Sequence, residues 1–264
     1  MGYVFNSKDT TSYEGWLDSA CGRNVLAIET ALMLKMLRPV SGETLLDIGC
    51  GTGASLVPFL GKGISLTGID PSFHMLDFAK KRLGNRADLH LGRAESLPFD
   101  DNEFNYSIFF LSLEFTDDPV KAIEEACRVT KDRIFIGMIN KYSMYAAFRR
   151  IRGMFGPSMF RNARFFSIPA IRRIAFELLG EVPFFWKTAL HAAGLFGPLR
   201  PDPQNFAFFE KNPFGAFAGL VIVPMPHYRT IALPLSKKAL STVVSGKQVA
   251  SCSGDFRTEK GGVP

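Results

Sequence analysis

The chain has 264 residues and a mass of 29.2 kDa, a length that suits one large domain or two small ones. Hydrophobic residues make up 47% and charged residues 21%, which excludes whole-chain disorder, and the lack of any fixed repeat excludes collagen-like and solenoid architectures. The formal net charge of +6 is unevenly spread: residues 141–200 carry a local +8, which leaves the rest near −2.

Residues 1–20 are polar with some aromatics and read as a flexible arm. Val25, Ile28, Leu32, Leu34 and Met36 recur near helical spacing and predict a helix over 24–37, ended by Pro39 and Gly42. Thr44–Ile48 predicts a strand. It feeds the glycine turn Gly49-Cys50-Gly51-Thr52-Gly53, after which the pattern predicts a helix running to Leu60. Ile64–Ile69 predicts a second strand that ends at Asp70. Ser72 then suits the N-cap of a helix to Leu83, and Lys80, Lys81 and Arg82 in its last turn have the favourable sign for the helix dipole. Leu89–Leu91, Tyr106–Leu111 and Arg133–Ile139 predict three further strands, with a helix from Pro119 to Val129 between the last two. Beyond residue 140 the spacing predicts a helix over Ile168–Leu179, a strand over Phe184–Leu190, a proline-broken loop over Gly194–Pro213 and a last strand over Phe217–Val223. Strands with near-continuous apolar runs, alternating with helices, define an α/β fold. The expected architecture is a Rossmann-like, doubly wound sheet of seven strands, mostly parallel with an antiparallel edge strand, and with helices on both faces.

Cys21, Cys50, Cys127 and Cys252 are scattered without paired spacing, so no disulfide framework and no metal site is expected, and a reducing, cytoplasmic compartment is the simplest reading. The N-terminus lacks the apolar core of a secretory signal. Asn6 stands where a myristoylation motif wants Ser or Thr. The longest apolar run, Phe214–Val223, is about half the roughly 20 residues a spanning helix needs, and reads as a buried strand. Lys141–Arg173 holds eight basic residues and no acid, and residues 141–220 hold 14 of the 25 phenylalanines. Such a block favours a membrane surface, an anionic amphiphile or a nucleic acid; an ordinary amphipathic helix with a solvated basic face explains it as well.

The glycine turn carries the chemistry. Glycines let the backbone bend sharply and approach a ligand closely, at the place where doubly wound sheets bind ligands. Asp70, at the end of the second strand, can accept both hydroxyl hydrogens of a ribose. Dinucleotide binders use G-x-G-x-x-G to admit a pyrophosphate. Here the third glycine comes one residue earlier, and Asp47 precedes the turn. An acid there disfavours a pyrophosphate and welcomes a cationic amino-acid tail. S-adenosylmethionine joins an adenosine to an amino acid in this way.

The segments LLDIGCGTG, LTGIDPSFHML, GRAESLPFDDNEF and RVTKDRIFIG, in that order, resemble the class I S-adenosylmethionine-dependent methyltransferases of the type 11 group. The likeness covers about residues 40–140. It implies that Asp47, Gly49, Cys50 and Gly51, with Gly53 completing the turn, surround the methionine end of the cofactor. It further implies that Asp70 holds the ribose, that Pro71, Ser72 and Met75 line the adenosine side, and that Ala94 and Glu95 meet the adenine edge. Phe110 and Leu111 would face the sulfonium and the acceptor. Cys50 reads as a residue chosen for size. Two departures stand out: Arg93 where many relatives have an acid that accepts from the adenine amino group, and Asn105 where an acid is usual. On this reading residues 1–234 form one domain. Its cofactor-binding half is about 40–140, its substrate-recognition elements lie at about 1–37 and 141–213, and 235–264 is a disordered tail.

Methyl transfer from a sulfonium is an in-line displacement on an activated carbon, so alignment and exclusion of water matter most. The position for a base lies after the fourth strand, and Glu114 is the candidate; a surface acid beside a helix is its plainer reading. His74, His90, His191 and His227 are isolated. The stretch FLSLEF lacks the Asn/Asp-Pro-Pro-aromatic motif of methyltransferases that act on DNA bases, so nucleic acid is a poor partner. The expected acceptor is a small apolar or amphiphilic molecule, with peripheral membrane contact through 141–173. An RNA or protein methyltransferase using that basic stretch, and a non-catalytic nucleoside-binding module, are the alternatives. The glycine spacing argues against a dehydrogenase, and the oligomeric state is left open.

Overall fold

A computed structural model of the chain describes residues 3–143, 163–189, 208–209 and 212–224. Helices α1 (Ser7–Asp18) and α2 (Ala20–Leu37) precede strand β1 (Thr44–Ile48). Then come β2 (Ser65–Asp70), α3 (Phe73–Leu83), β3 (Asp88–Leu91), β4 (Phe104–Phe110), α4 (Pro119–Val129) and β5 (Thr130–Ile139). Helix α5 (Ile168–Leu179) and strands β6 (Phe184–Ala189), β7 (Phe208–Phe209) and β8 (Phe217–Ile222) complete the described elements.

The strand order is β3-β2-β1-β4-β5-β8-β6-β7. From β3 to β5 all pairings are parallel, and β8 runs antiparallel between β5 and β6. The seven expected strands are all present. The two-residue β7 adds an eighth at the edge, inside the stretch read from sequence as loop. Because β1 pairs with β2 on one side and β4 on the other, the chain reverses its winding there and opens a crevice at the carboxyl ends of these strands.

Both faces of the sheet are covered. Ile28, Leu32, Met33 and Leu37 of α2 pack with Leu83 of α3 against Leu45, Ile108, Phe135 and Val221. On the other face Ala122, Ile123 and Ala126 of α4 and Ile168 and Ile171 of α5 pack against Leu46, Phe109, Ile136 and Leu220. Each central strand sends alternate residues into the two cores, so most of its positions are apolar. The Phe214–Val223 run is explained by this: all six positions of β8 are buried.

Two elements differ from the sequence reading. The expected arm at 1–20 is an extended strap, Tyr3–Asn6, followed by helix α1. A capping box starts that helix: Asn6 Oδ1 accepts from the N–H of Lys8 and Asp9, and Asp9 Oδ2 accepts from the N–H of Asn6. Thr10 and Leu17, buried on one face, hold it down. Conversely, no α-helix follows the glycine turn. Residues 54–63 form turns and a single 3₁₀ turn, Val57–Phe59. Pro58 removes a backbone donor, and Gly61 and Gly63 adopt positive φ, so the helix ladder cannot propagate. Leu56 and Phe59 still insert into the core.

The basic block 141–173 lies mostly outside the described residues, as do most of the loop 194–213 and all of the tail 235–264. Among the described residues no helix is long and apolar enough to cross a membrane.

Candidate active site

The site is built on the carboxyl ends of β1, β2 and β4. Asp47, in β1, is fully buried. Its Oδ2 accepts from the Ser55 hydroxyl, while Oδ1 has no hydrogen-bond partner. Burial raises its pKa to about 7, opposed by the Ser55 hydrogen bond and assisted by the negative charge of Asp70.

The turn after β1 then folds back onto β2. Gly49 and Cys50 donate their N–H groups to the Ile69 carbonyl at 2.7 and 3.0 Å. Gly49 and Gly51 have φ of +77° and +52°, in the region where a side chain is strained. A Cβ at Gly49 would lie 2.5 Å from Ser112 Cβ, so no side chain fits beside the loop after β4. Ser112 Oγ donates to the Ile48 carbonyl at 2.5 Å and holds that loop against β1. A Cβ at Gly53 would lie 2.7 Å from Leu83 Cδ1, so this glycine serves the packing of α3. Cys50 is buried against Gly68, where a Cβ would lie 2.8 Å from its Sγ. Its thiol pKa is raised well above the ordinary value, by burial first and then by the charges of Asp47 and Asp70.

Asp70 is buried at the end of β2. Its Oδ2 accepts from Gly51 N at 2.9 Å and its Oδ1 from Ser72 N at 2.8 Å. Burial raises its pKa to about 6, against the lowering effect of these two hydrogen bonds. Each oxygen keeps a further lone pair for a ligand hydroxyl. Pro71 is half-buried beside it, and Met75, buried in the first turns of α3, lies beneath Gly51: a Cβ there would be 3.9 Å from Met75 Sδ.

At the carboxyl end of β4, Phe110 is buried with its ring 5.9 Å from that of Phe217. Leu111 has φ +55°, an uncommon conformation for a branched residue, and its N–H donates to the Gly137 carbonyl at 2.8 Å. Glu114 follows in a 3₁₀ turn, Leu113–Phe115. It is buried rather than a surface acid. Its Oε1 accepts from Ile139 N at 3.0 Å, its backbone carbonyl accepts from Arg164 N at 2.8 Å, and Oε2 has no partner. Burial raises its pKa to about 7.

Ala94 and Glu95 follow β3, across from the loop after β4. Glu95 Oε1 accepts from Asp117 N at 2.7 Å and Asp118 N at 3.3 Å, and Oε2 lies 3.7 Å from Arg93 Nε. Arg93 also pairs with Asp117. These two residues therefore join the loops after β3 and β4, which accounts for the basic residue at position 93. Asn105 does similar work lower down: Oδ1 accepts from Thr44 N at 3.2 Å, and Nδ2 donates to Asp132 at 2.9 Å.

The motif reading missed the N-terminal strap, which bonds to the loops after β2 and β4. The strap crosses from β4 to β2: Tyr3 N donates to the Phe115 carbonyl at 3.1 Å, and Ser72 Oγ donates to the Phe5 carbonyl at 2.6 Å. The Phe5 and Phe115 rings meet edge to face at 5.0 Å. Nothing in local periodicity signals this, since the partners lie far apart in the chain.

The residues fit S-adenosylmethionine. The glycine turn is a cradle with no side chain to obstruct it, Asp47 Oδ1 awaits a donor, and Asp70 stands across the turn with its carboxylate oriented. The class defined by the sheet and this crevice is that of the doubly wound nucleoside-binding proteins.

Comparisons narrow the class. Residues 46–135 match the methyltransferase domain family of type 11. An uncharacterised protein of Mycobacterium tuberculosis is 31% identical over 169 residues, covering 63% of this chain and 56% of the relative. A demethylmenaquinone methyltransferase of Renibacterium salmoninarum is 35% identical over 100 residues, covering 38% of this chain and 42% of the relative. The chain thus spans about half the length of these curated relatives. Among solved structures, an S-adenosylmethionine-dependent methyltransferase of Thermotoga maritima, described as a possible histamine N-methyltransferase, superposes with a TM-score of 0.68. It is 25% identical, with 82% of this chain and 96% of that one covered. The matched segment, residues 46–135, is thus a methyltransferase domain of the type 11 family, and the structural likeness to an S-adenosylmethionine-dependent methyltransferase extends over 82% of the chain.

Proposed function

We propose that the protein transfers a methyl group from S-adenosylmethionine to a small apolar or amphiphilic acceptor by in-line displacement. The observation that carries this reading is the pair of buried acids across the glycine turn, Asp47 with a free Oδ1 and Asp70 pinned by Gly51 and Ser72. Asp47 would take the amino group of the cofactor, and Asp70 the ribose hydroxyls. Pro71, Ser72 and Met75 would line the nucleoside, with Ala94 and the backbone beyond β3 at the adenine edge. Glu95 already accepts from two backbone N–H groups, so its part there would be to shape the loop.

The bound cofactor supplies a methyl group on positively charged sulfur, already activated toward a nucleophile. The chain then has to place the acceptor in line and exclude water. Phe110 and Leu111 would form the apolar floor under the reacting centre, with the strap as its cover. Glu114, with its free Oε2 and a pKa near 7, would hold or take the acceptor proton. The apolar character of the acceptor draws support from the phenylalanine-rich 141–220 segment and from the relative named as a demethylmenaquinone methyltransferase. The basic stretch 141–173 would bring the protein to an anionic membrane surface where such acceptors dissolve.

The test is incubation with methyl-labelled cofactor, offering a membrane lipid extract and a pool of soluble metabolites side by side. Label is expected in the lipid extract. Label confined to the soluble polar fraction would remove the apolar acceptor and leave the methyltransferase.

A further inference from the structure

A third carboxylate near the glycine turn has an unsatisfied oxygen. Glu14, on α1, is 15% exposed, and its Oε2 accepts from Arg82 Nη2 at 2.7 Å. Its Oε1 is buried and has no hydrogen-bond donor. Arg82 reaches over from the last turn of α3. Its Nη1 donates to the Thr52 carbonyl and, at 2.7 Å, to the Thr52 hydroxyl, within the glycine turn itself. One ion pair therefore separates Glu14 from the backbone that must approach a ligand.

Tyr13, the neighbour of Glu14 on α1, feels the charge of both Glu14 and Asp47. Its phenol pKa is raised by burial first, then by the negative charges of Glu29, Glu14 and Asp47, with Arg82 opposing. The four charged groups thus share the surroundings of one phenol, three acids against one base. The base is already committed to Glu14 Oε2 and Thr52. Asp47, fully buried, contributes a second oxygen without a donor. A buried carboxylate oxygen left without a donor is unfavourable, and a ligand that brings both N–H groups and positive charge removes the penalty at both places. An ammonium brings three donors on one centre.

We propose that Glu14 joins Asp47 in holding the cationic amino group at the amino-acid end of the cofactor. This rests on the cofactor-site reading above. It gives α1, which lies outside the matched 46–135 segment, a part in binding. The position of α1 is set by the strap and its hydrogen bonds to the loops after β2 and β4. Glu14 is then a determinant of selectivity for ligands that carry the amino-acid tail, while the nucleoside half is held elsewhere.

Calorimetry with two ligands tests this: S-adenosylhomocysteine, which has the amino group, and 5′-methylthioadenosine, which lacks it. Glu14→Gln keeps an acceptor for Arg82 and removes the charge. It should weaken the first ligand about 10-fold or more and the second by less than about twofold. Equal weakening of both, or of neither, would overturn the proposal. If Glu14→Gln does not fold, the double variant Glu14→Gln, Arg82→Gln removes the ion pair as a unit, and the same comparison decides. Wild-type protein that binds neither ligand would overturn the cofactor-site reading itself, and the role of Glu14 with it.

Discussion

The Gly51 N–H donates to Asp70 Oδ2 at 2.9 Å, and this bond ties the turn after β1 to the acid that ends β2. With Ser72 N on the other oxygen, it orients the carboxylate before any ligand arrives. The sheet register makes this contact available: Ile48 is level with Ile69, so the turn and the acid emerge side by side.

Asp70→Ala should remove ligand binding and also weaken the fold. Gly51 N and Ser72 N each lose their acceptor, at about 1–3 kcal/mol for a buried donor left unpaired. Thermal melting with and without S-adenosylhomocysteine checks both parts. The expected result is a lower Tm and no shift on adding ligand.

Gly49 and Gly51 should respond differently to alanine. At Gly49 the added Cβ meets Ser112 Cβ, and the positive φ costs about 1–2 kcal/mol besides, so Gly49→Ala should be strongly destabilised in urea. At Gly51 the nearest atom is 3.9 Å away. Gly51→Ala should lose only about 1–2 kcal/mol from its backbone conformation, and still bind the nucleoside poorly because a methyl group fills the cradle.

The buried acids set a pH dependence. An unfolded Asp47 ionises near 3.8 and the folded one near 7. Between these values the folded state keeps a proton that the unfolded chain releases, so stability falls as pH rises through the window and levels off above about 7. The slope is about 1.4 kcal/mol per pH unit for one such acid. Urea unfolding at pH 5 to 8 should show this decline in the ligand-free protein, and a shallower one in Asp47→Asn. An amino-bearing ligand favours the ionised acid, so affinity for S-adenosylhomocysteine should rise from pH 6 to 8.

If Glu114 holds the acceptor proton as proposed, Glu114→Gln should lower turnover while leaving S-adenosylhomocysteine affinity within about twofold. A pH–rate profile for the wild type should carry a limb near 7 that the variant lacks. An unchanged profile would leave Glu114 as a strut between the β4 loop and Ile139.

Arg93→Ala removes a partly exposed ion pair with Asp117. The cost should stay below about 1 kcal/mol and should shrink further in high salt. Chemical denaturation at two salt concentrations would check it.

The sheet was legible because its central strands are mostly apolar on both faces and helices α3, α4 and α5 each bury an apolar stripe. Helices α3, α4 and α5 fall where capping residues and spacing place them. The helix expected after Gly53 is absent: Pro58, Gly61 and Gly63 outweigh the apolar spacing of Leu56 and Phe59. Helix α1 was hidden by its polarity. Its start depends on reciprocal hydrogen bonds between Asn6 and Asp9, and its buried face is narrow.

From sequence alone came the methyltransferase class and the proposed bed for its cofactor, because a sharp turn needs glycine and a ribose needs an acid, and both follow one another closely in the chain. Tertiary structure alone decided that Glu114 is buried, that Arg93 closes onto Asp117, that Glu14 pairs with Arg82, and that the strap joins Phe115 to Ser72. These depend on contacts between residues tens of positions apart, and solvation follows from which surfaces the fold brings together, which no local pattern of residue types encodes.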